Sequence, residues 1–258
     1  MVNDEKCTVL EHFEISGGYS HLVLAAPKIS AELEPGQFVH VKVPALEESA
    51  LRRPFSVFDA GDGRIEILYK RVGRGTAALN RVAKGESLMV EGPLGYGTFP
   101  VETSGAKALL VGGGFGVAPL YFLAKRLKAP AKLFVGGRTS EDLLALDRFA
   151  ALGIEIETAT NDGSAGIKGL VVDPLDREIR SLRERGENFE LFACGPDGLL
   201  KAVADRAVSL GVPGWISMDR HMICGVGACF ACIQKTKSGN MRCCVDGPVF
   251  RADSLVWN

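Results

Sequence analysis

Five of the chain's seven cysteines stand between residues 224 and 244. Cys224, Cys229 and Cys232 make a C-x4-C-x2-C run, and Cys243 and Cys244 follow as an adjacent pair. This is the plant-type spacing with which four thiolates hold a [2Fe–2S] cluster. Gly225, Gly227, Ala228 and Ala231 carry little or no side chain, so the backbone can wrap closely and aim N–H groups at sulfur. A zinc site usually pairs its cysteines as two C-x2-C knuckles, and only one such pair is present. Zinc, and reactive or disulfide-forming cysteines, are the competing readings. Neighbouring side chains cannot easily turn to one metal, so one of Cys243 and Cys244 is the fourth ligand and the other a spare.

Three further groups of residues could bind a nucleotide. Arg52-Arg53-Pro54-Phe55-Ser56 puts a guanidinium, a ring and a hydroxyl in quick succession; arginine suits bidentate phosphate contacts and a ring can stack on a planar cofactor. Leu68-Tyr69-Lys70 and Gly73-Arg74-Gly75-Thr76 follow, the latter where a helix begins. The plain reading of these is an exposed arginine pair beside a core phenylalanine, and a helix capped by Thr76. Gly112-Gly113-Gly114-Phe115-Gly116 and Cys194-Gly195-Pro196-Asp197 are turns, each closing a strand and opening a helix. They read equally as tight connections or as the phosphate-facing turns of a nucleotide sheet. Gly136-Gly137-Arg138 stands where an acidic ribose-binding residue is usual, so this position does not choose between NAD and NADP.

The elements that must position these residues fall into two kinds. Before residue 74 the chain alternates in short strands, at Cys7–Ile15, His21–Ala25, Phe38–Val43, Phe55–Asp59 and Arg64–Tyr69, with Ser87–Glu91 later and one helix, Thr76–Val82, between. That pattern predicts a small antiparallel barrel or sandwich. From Lys107 it changes to strand, turn and helix. Strands are expected at Ala108–Val111, Lys132–Val135, Ile154–Thr158, Glu190–Ala193 and Trp215–Met218. Helices are expected at Val117–Leu127, Glu141–Phe149, Pro174–Arg185 and Asp197–Leu210. This is a doubly wound α/β unit, in which ligands bind at the carboxyl ends of the strands. The predicted division is residues 1–100, a β-barrel; 101–213, an α/β nucleotide-binding domain; and 214–258, a cysteine domain.

A net charge of −1 gives no electrostatic case for nucleic acid or an anionic membrane. No apolar run reaches the roughly 18 residues needed to span a bilayer, and the first residues lack the apolar core of a signal peptide. An odd number of cysteines, mostly in one knot, suits a reducing compartment, and the expectation is cytoplasmic. The four histidines are scattered and no nucleophile–base pair is visible.

In this order, R-x-F-S, G-x-G-T, GGGFGVAP and CGP resemble the ferredoxin–NADP reductase superfamily across nearly the whole chain. The cysteine tail ending Cys244-Val245-Asp246-Gly247-Pro248-Val249-Phe250 is similar to that of the electron-transfer subunits of NAD-dependent (class B) dihydroorotate dehydrogenase. The resemblance implies FAD held by Arg53 at the diphosphate, Ser56 near the flavin ring and Phe55 packed on that ring, in the run that includes Pro54. Leu68, Tyr69 and Lys70 would line the ribityl and adenine side, and Gly75 with Thr76 would hold the diphosphate. Many relatives carry tyrosine where Phe55 stands, so one hydrogen bond to the flavin is missing. Gly112, Gly113, Gly114 and Gly116, with Cys194, Gly195 and Pro196, would face NAD as co-substrate. Cys224, Cys229, Cys232 and Cys244 would ligate the cluster.

A separate catalytic subunit would oxidise dihydroorotate on FMN, in a heterotetramer of two copies of each chain. Electrons would then pass through the cluster and FAD to NAD+ in pyrimidine biosynthesis. The surface around residues 220–250 would meet that partner. The nearest alternative is an NAD(P)H-dependent iron–sulfur flavoprotein reductase subunit acting on ferredoxin or a sulfur substrate; a more distant one is a non-enzymatic zinc or redox-sensing module.

Overall fold

Apolar residues two apart in short strands can bury one face only by closing a sheet on itself or covering it. The computed structural model, which describes residues 2–43, 52–103 and 105–257, shows closure. Strands β1 (Asn3–Glu14), β2 (Tyr19–Ala25), β3 (Phe38–Lys42), β4 (Arg53–Gly61), β5 (Arg64–Lys70) and β6 (Ser87–Leu94) form an antiparallel barrel in the order β1-β2-β5-β4-β3-β6. Leu22, Leu24, Val39, Val41, Ile65 and Ile67 fill it and are fully buried. All six expected strands are present. The helix expected at Thr76–Val82 begins earlier, as α2 (Arg74–Leu79).

Helix α1 (Pro27–Glu32) has too few residues to show a period in the sequence. Pro27 sets its first turn. The buried Glu5 carboxylate accepts from the Lys28 and Ile29 backbone N–H groups at 3.3 and 3.1 Å, satisfying donors that the helix cannot.

The second half alternates β7 (Lys107–Gly113), α3 (Val117–Arg126), β8 (Ala131–Gly137), α4 (Leu146–Ala151), β9 (Glu155–Thr160), β10 (Ile167–Lys168), α5 (Val172–Glu184), β11 (Phe189–Cys194), α6 (Asp197–Leu210) and β12 (Gly214–Ser217). The strands lie in the order β10-β9-β8-β7-β11-β12, all parallel, the doubly wound topology. The helix expected at Glu141–Phe149 is instead a 3-10 turn at Ser140–Asp142 followed by α4, because Ala145 between them is left-handed at φ 56°. The cysteine segment adds the hairpin β13 (Ile233–Thr236) and β14 (Gly239–Arg242). It also supplies β15 (Val249–Arg251), which joins the large sheet antiparallel to β12.

Barrel and sheet share an extensive seam. Phe58 of β4 stacks on Tyr121 of α3 with ring centroids 4.6 Å apart, and Arg148 of α4 lies over both rings. Around them, Asp59 takes Lys125 at 2.7 Å and Arg148 at 3.3 Å, while Glu66 takes Arg148 at 3.2 Å and His21 at 2.9 Å. Every ion pair in this group except His21–Glu66 joins the two domains. The cysteine segment is tied to the barrel as well: Tyr96 N–H donates to Val245 O and Gly97 N–H to Gly247 O, at 2.9 and 2.8 Å. Among the described residues no helix is long and apolar enough to cross a membrane.

Candidate functional site

The loop from Cys224 to Cys232 has no regular structure, and the β13–β14 hairpin returns Cys243 and Cys244 to it. Backbone donors gather on its sulfurs. Cys229 N–H points at Cys224 Sγ and Cys244 N–H at Cys232 Sγ, both at 3.4 Å. Partial burial alone would raise the Cys224 thiol, but N–H groups of Val226, Cys229 and Ala228, with the Cys229 side chain, bring it down to about 7. The thiols therefore pair as Cys224 with Cys229 and Cys232 with Cys244. Among the described residues no three His, Cys, Asp or Glu side chains converge as a single-ion site demands. Two pairs suit a two-iron centre, in which each iron takes two protein ligands.

Cys243 and Cys244 face different ways. Burial pushes both thiols up to about 12, followed by the charge of Cys232 for Cys243 and by a side-chain hydrogen bond with Cys232 for Cys244. Both are buried; beyond Cys232, the neighbours of Cys243 include Arg220 and Asp219, and those of Cys244 the Gly227 N–H and Cys224. Sequence reasoning missed the brace that holds this loop. Asp246 accepts from Arg242 N–H at 2.7 Å, and the Arg242 guanidinium reaches Gly227 O at 3.4 Å and covers the Phe230 ring.

On the barrel, pleating sorts the R-x-F-S run. Val39 pairs with Phe55 and both join the barrel's buried cluster, where Phe55 meets Tyr69 edge-on at 5.5 Å between ring centroids. Phe55 is 9% exposed and lies on the same face of β4 as Arg53, against Tyr69. His40 pairs with Pro54 and Phe38 with Ser56, and these four lie on the outward face. Arg53 reaches α2, where a methyl group on Gly75 would lie 2.6 Å from its Nε and make the guanidinium shift. Thr76 Oγ1 accepts from the Val72 and Gly73 N–H groups at 2.9 and 3.2 Å. In the next strand Leu68 enters the seam between the domains, and Tyr69 turns inward to His12 Nε2 at 2.9 Å. Lys70 alone of the three faces the cleft described next.

A cleft of about 880 Å³ opens at the carboxyl ends of β7, β8, β9 and β11, where doubly wound sheets bind ligands. Gly113, Gly114 and Gly116 line one wall, and Cys194, Gly195 and Pro196 another; Gly112 sits beneath, paired with Cys194 across β7 and β11. The two turns touch. A methyl group on Gly116 would stand 2.3 Å from the Cys194 carbonyl oxygen, so glycine is required for them to meet. Burial, then the charge of Asp219, holds the Cys194 thiol up to about 12, which keeps it neutral. At the mouth, Asp142 accepts from Tyr19 Oη at 2.6 Å, Lys70 Nζ at 3.1 Å and Arg138 N–H at 3.0 Å. Burial would raise that carboxyl, but these donors hold it at about 2.

Behind the outward face of β3, Phe38 shares one buried cluster with Met222, Cys232, Cys243 and Cys244. His40 beside it is 1 % exposed, and its Nε2 has no hydrogen-bond partner.

Residues 6–99 match the family model for the oxidoreductase FAD-binding domain, and residues 219–256 that for the iron–sulfur cluster binding domain of dihydroorotate dehydrogenase B. A protein of Bacillus caldolyticus described as the electron transfer subunit of dihydroorotate dehydrogenase B (NAD(+)) is 42% identical over 266 residues, covering 99% of this chain and 100% of its own length. Its counterpart from Clostridium acetobutylicum is 36% identical, covering 97% of this chain and 96% of its own. Among solved structures, one of an NADH-dependent reduced ferredoxin–NADP oxidoreductase, a flavin-based electron-bifurcating enzyme, superposes with a TM-score of 0.86. It is 30% identical and covers 99% of this chain and 91% of that one.

Proposed function

The chain belongs to the family of electron-transfer subunits of NAD-dependent dihydroorotate dehydrogenase B, and from that premise we propose which of its residues serve which part of the transfer. It is an oxidoreductase subunit with an FAD-binding domain and an iron–sulfur domain. When bound, the flavin supplies the exchange between hydride chemistry at a nicotinamide and single-electron chemistry at an iron–sulfur centre.

Cys224, Cys229, Cys232 and Cys244 hold the cluster, with Cys243 as packing behind it. Arg53, Gly75 and Thr76 hold the FAD diphosphate, and Ser56 lies near the flavin ring, with Pro54 between them. Phe55, on the same face of β4 as Arg53, packs on the flavin ring, while the Leu68–Lys70 strand borders the site and turns Lys70 to the cleft. Gly112, Gly113, Gly114, Gly116, Cys194, Gly195 and Pro196 shape the cleft for NAD. In this division residues 1–100 carry FAD, 101–213 carry NAD and 214–258 carry the cluster, with β12 and β15 lent by the last segment to the central sheet.

The observation that carries the reading is one buried cluster that joins Phe38 of the barrel to Cys232, Cys243 and Cys244. It sets the cluster loop against β3 and β4, on which the flavin residues lie, with the nucleotide cleft along the same seam. Electron transfer needs short distances, and this order supplies them. The partner is an FMN-containing catalytic subunit that oxidises dihydroorotate, two copies of each chain assembling in the cytoplasm. That partner seats on the surface around residues 220–250, where Val226 and Phe230 stand exposed beside the ligands.

The test is co-purification with that subunit and visible spectra before and after anaerobic dihydroorotate. Bleaching of flavin and cluster together, with NADH formed on adding NAD+, is expected. Bleaching by NADH but not by dihydroorotate, with the partner present, would leave a reductase of another substrate.

A further inference from the structure

His40 is the one buried side-chain nitrogen or oxygen site among the described residues that lacks a hydrogen-bond partner. Burial, then the positive charge of Arg52, lowers its pKa to about 4, so the ring is neutral and one nitrogen carries a proton. Leaving a buried polar atom unpaired is costly, because its hydration is lost with nothing in return. Such an atom in an otherwise satisfied fold marks a place where something else completes the bond.

The strand that bears it decides the direction. On β3, Val39 and Val41 enter the barrel, so Phe38 and His40 point out towards the cysteine segment. The Phe38 and His40 rings meet edge-on at 5.6 Å, which fixes the imidazole. Its edge lies on Gly225, the residue after Cys224. A methyl group built there would stand 2.5 Å from Cε1, 2.7 Å from Nδ1 and 3.1 Å from Nε2. Gly225 is left-handed at φ 71°, and any side chain would push the loop off the barrel. On its other side His40 pairs with Pro54, which offers no N–H.

We propose that His40 is a positioning residue of the electron path, whose Nε2–H is held for a sulfur of the two-iron cluster that the Cys224 loop carries. The inference rests on the iron–sulfur reading of that loop. Backbone N–H groups of Val226, Ala228 and Cys229 already serve Cys224 from the loop side; His40 supplies a donor from the barrel side. A donor to a cluster sulfur stabilises the reduced, more negative state and raises the potential. His40 thus ties the cluster's potential to its seat on the flavin barrel.

The test is a potentiometric titration of the full, cofactor-loaded chain, following the cluster by electron paramagnetic resonance and the flavin by absorbance. His40→Leu should lower the cluster midpoint and leave the flavin midpoint in place, and His40→Gln, which keeps an N–H, should restore it. An unmoved cluster midpoint overturns the proposal, as does a shift confined to the flavin. Should His40→Leu not load its cluster, electron–nuclear double resonance on the unsubstituted chain with isotopically labelled histidine decides. A histidine nitrogen coupled to the reduced cluster, absent from His40→Gln at the same strength, is expected; no such coupling overturns it. Iron and sulfide analysis of the unsubstituted chain keeps the premise separate, because a chain without iron sinks the cluster reading itself.

Discussion

Tyr19 of the barrel and Asp142 of the α/β sheet meet at the mouth of the cleft, hydroxyl to carboxylate, at 2.6 Å. Lys70 Nζ shares the same oxygen at 3.1 Å and lies 4.3 Å from the centre of the Tyr19 ring. One carboxylate therefore fixes both the seam and the position of the only cationic side chain that the barrel, among the described residues, sends into the cleft.

Removing that carboxylate strands three donors, Tyr19 Oη, Lys70 Nζ and Arg138 N–H. Asp142→Ala should cost about 1–3 kcal/mol of stability, read by denaturant unfolding, and raise the Michaelis constant for NADH. Asp142→Asn keeps an acceptor for Tyr19 and should fall between. A wild-type Michaelis constant in the alanine variant would separate this cluster from nucleotide binding.

Gly116 gives a sharper separation of the two halves. The 2.3 Å approach of an added methyl to the Cys194 carbonyl oxygen allows no relaxation within the turn. Gly116→Ala should therefore slow flavin reduction by NADH at least tenfold while iron and FAD contents stay at the wild-type level. Rapid-mixing absorbance with cofactor analysis checks both parts at once.

Between the adjacent cysteines, orientation predicts opposite results. Cys244→Ser should lose the cluster absorbance and its iron. Cys243→Ser should keep both, at a cost of about 1–3 kcal/mol for burying a hydroxyl where a thiol packed. Loss of iron in the Cys243 variant with retention in the other would exchange their roles.

Glu66 predicts the acid side of the stability profile. Burial alone would raise it, but the hydrogen bonds and charges of His21 and Arg148 hold it at about 2, against an ordinary 4.5. A carboxylate depressed on folding stabilises the fold above its unfolded pKa and loses that contribution as pH falls through the folded one. Its side chain is 20% exposed, so the contribution at neutral pH is on the order of 2 kcal/mol after screening. The difference in unfolding free energy between wild type and Glu66→Gln should be constant down to about pH 5 and shrink below it. A gap unchanged at pH 3 would show that the pair is not formed.

The cysteine run, the two glycine turns and the change from strands to alternating strands and helices were all legible in the sequence, because each depends on neighbours a few residues away. What depends on distant partners was not. The pairing of Phe55 with Val39 and its edge contact with Tyr69 are set by strands that no local motif announces. His40 carries no motif at all; its isolation arises from a loop almost two hundred residues further on. Ala145 gives no hint of a left-handed backbone, so the expected helix ran through it. The brace of Arg242 and Asp246 was visible as residues, but its purpose appears only when the hairpin folds back.

β15 closes the open side of the central sheet against β12, and it is made of residues that follow every cluster ligand. Until it docks, β12 presents a bare row of backbone donors and acceptors, the kind of edge on which chains aggregate. The same short tail that carries the cysteine run therefore also seals the sheet, and a chain cut after Cys244 should be prone to aggregate even where its cysteines are intact.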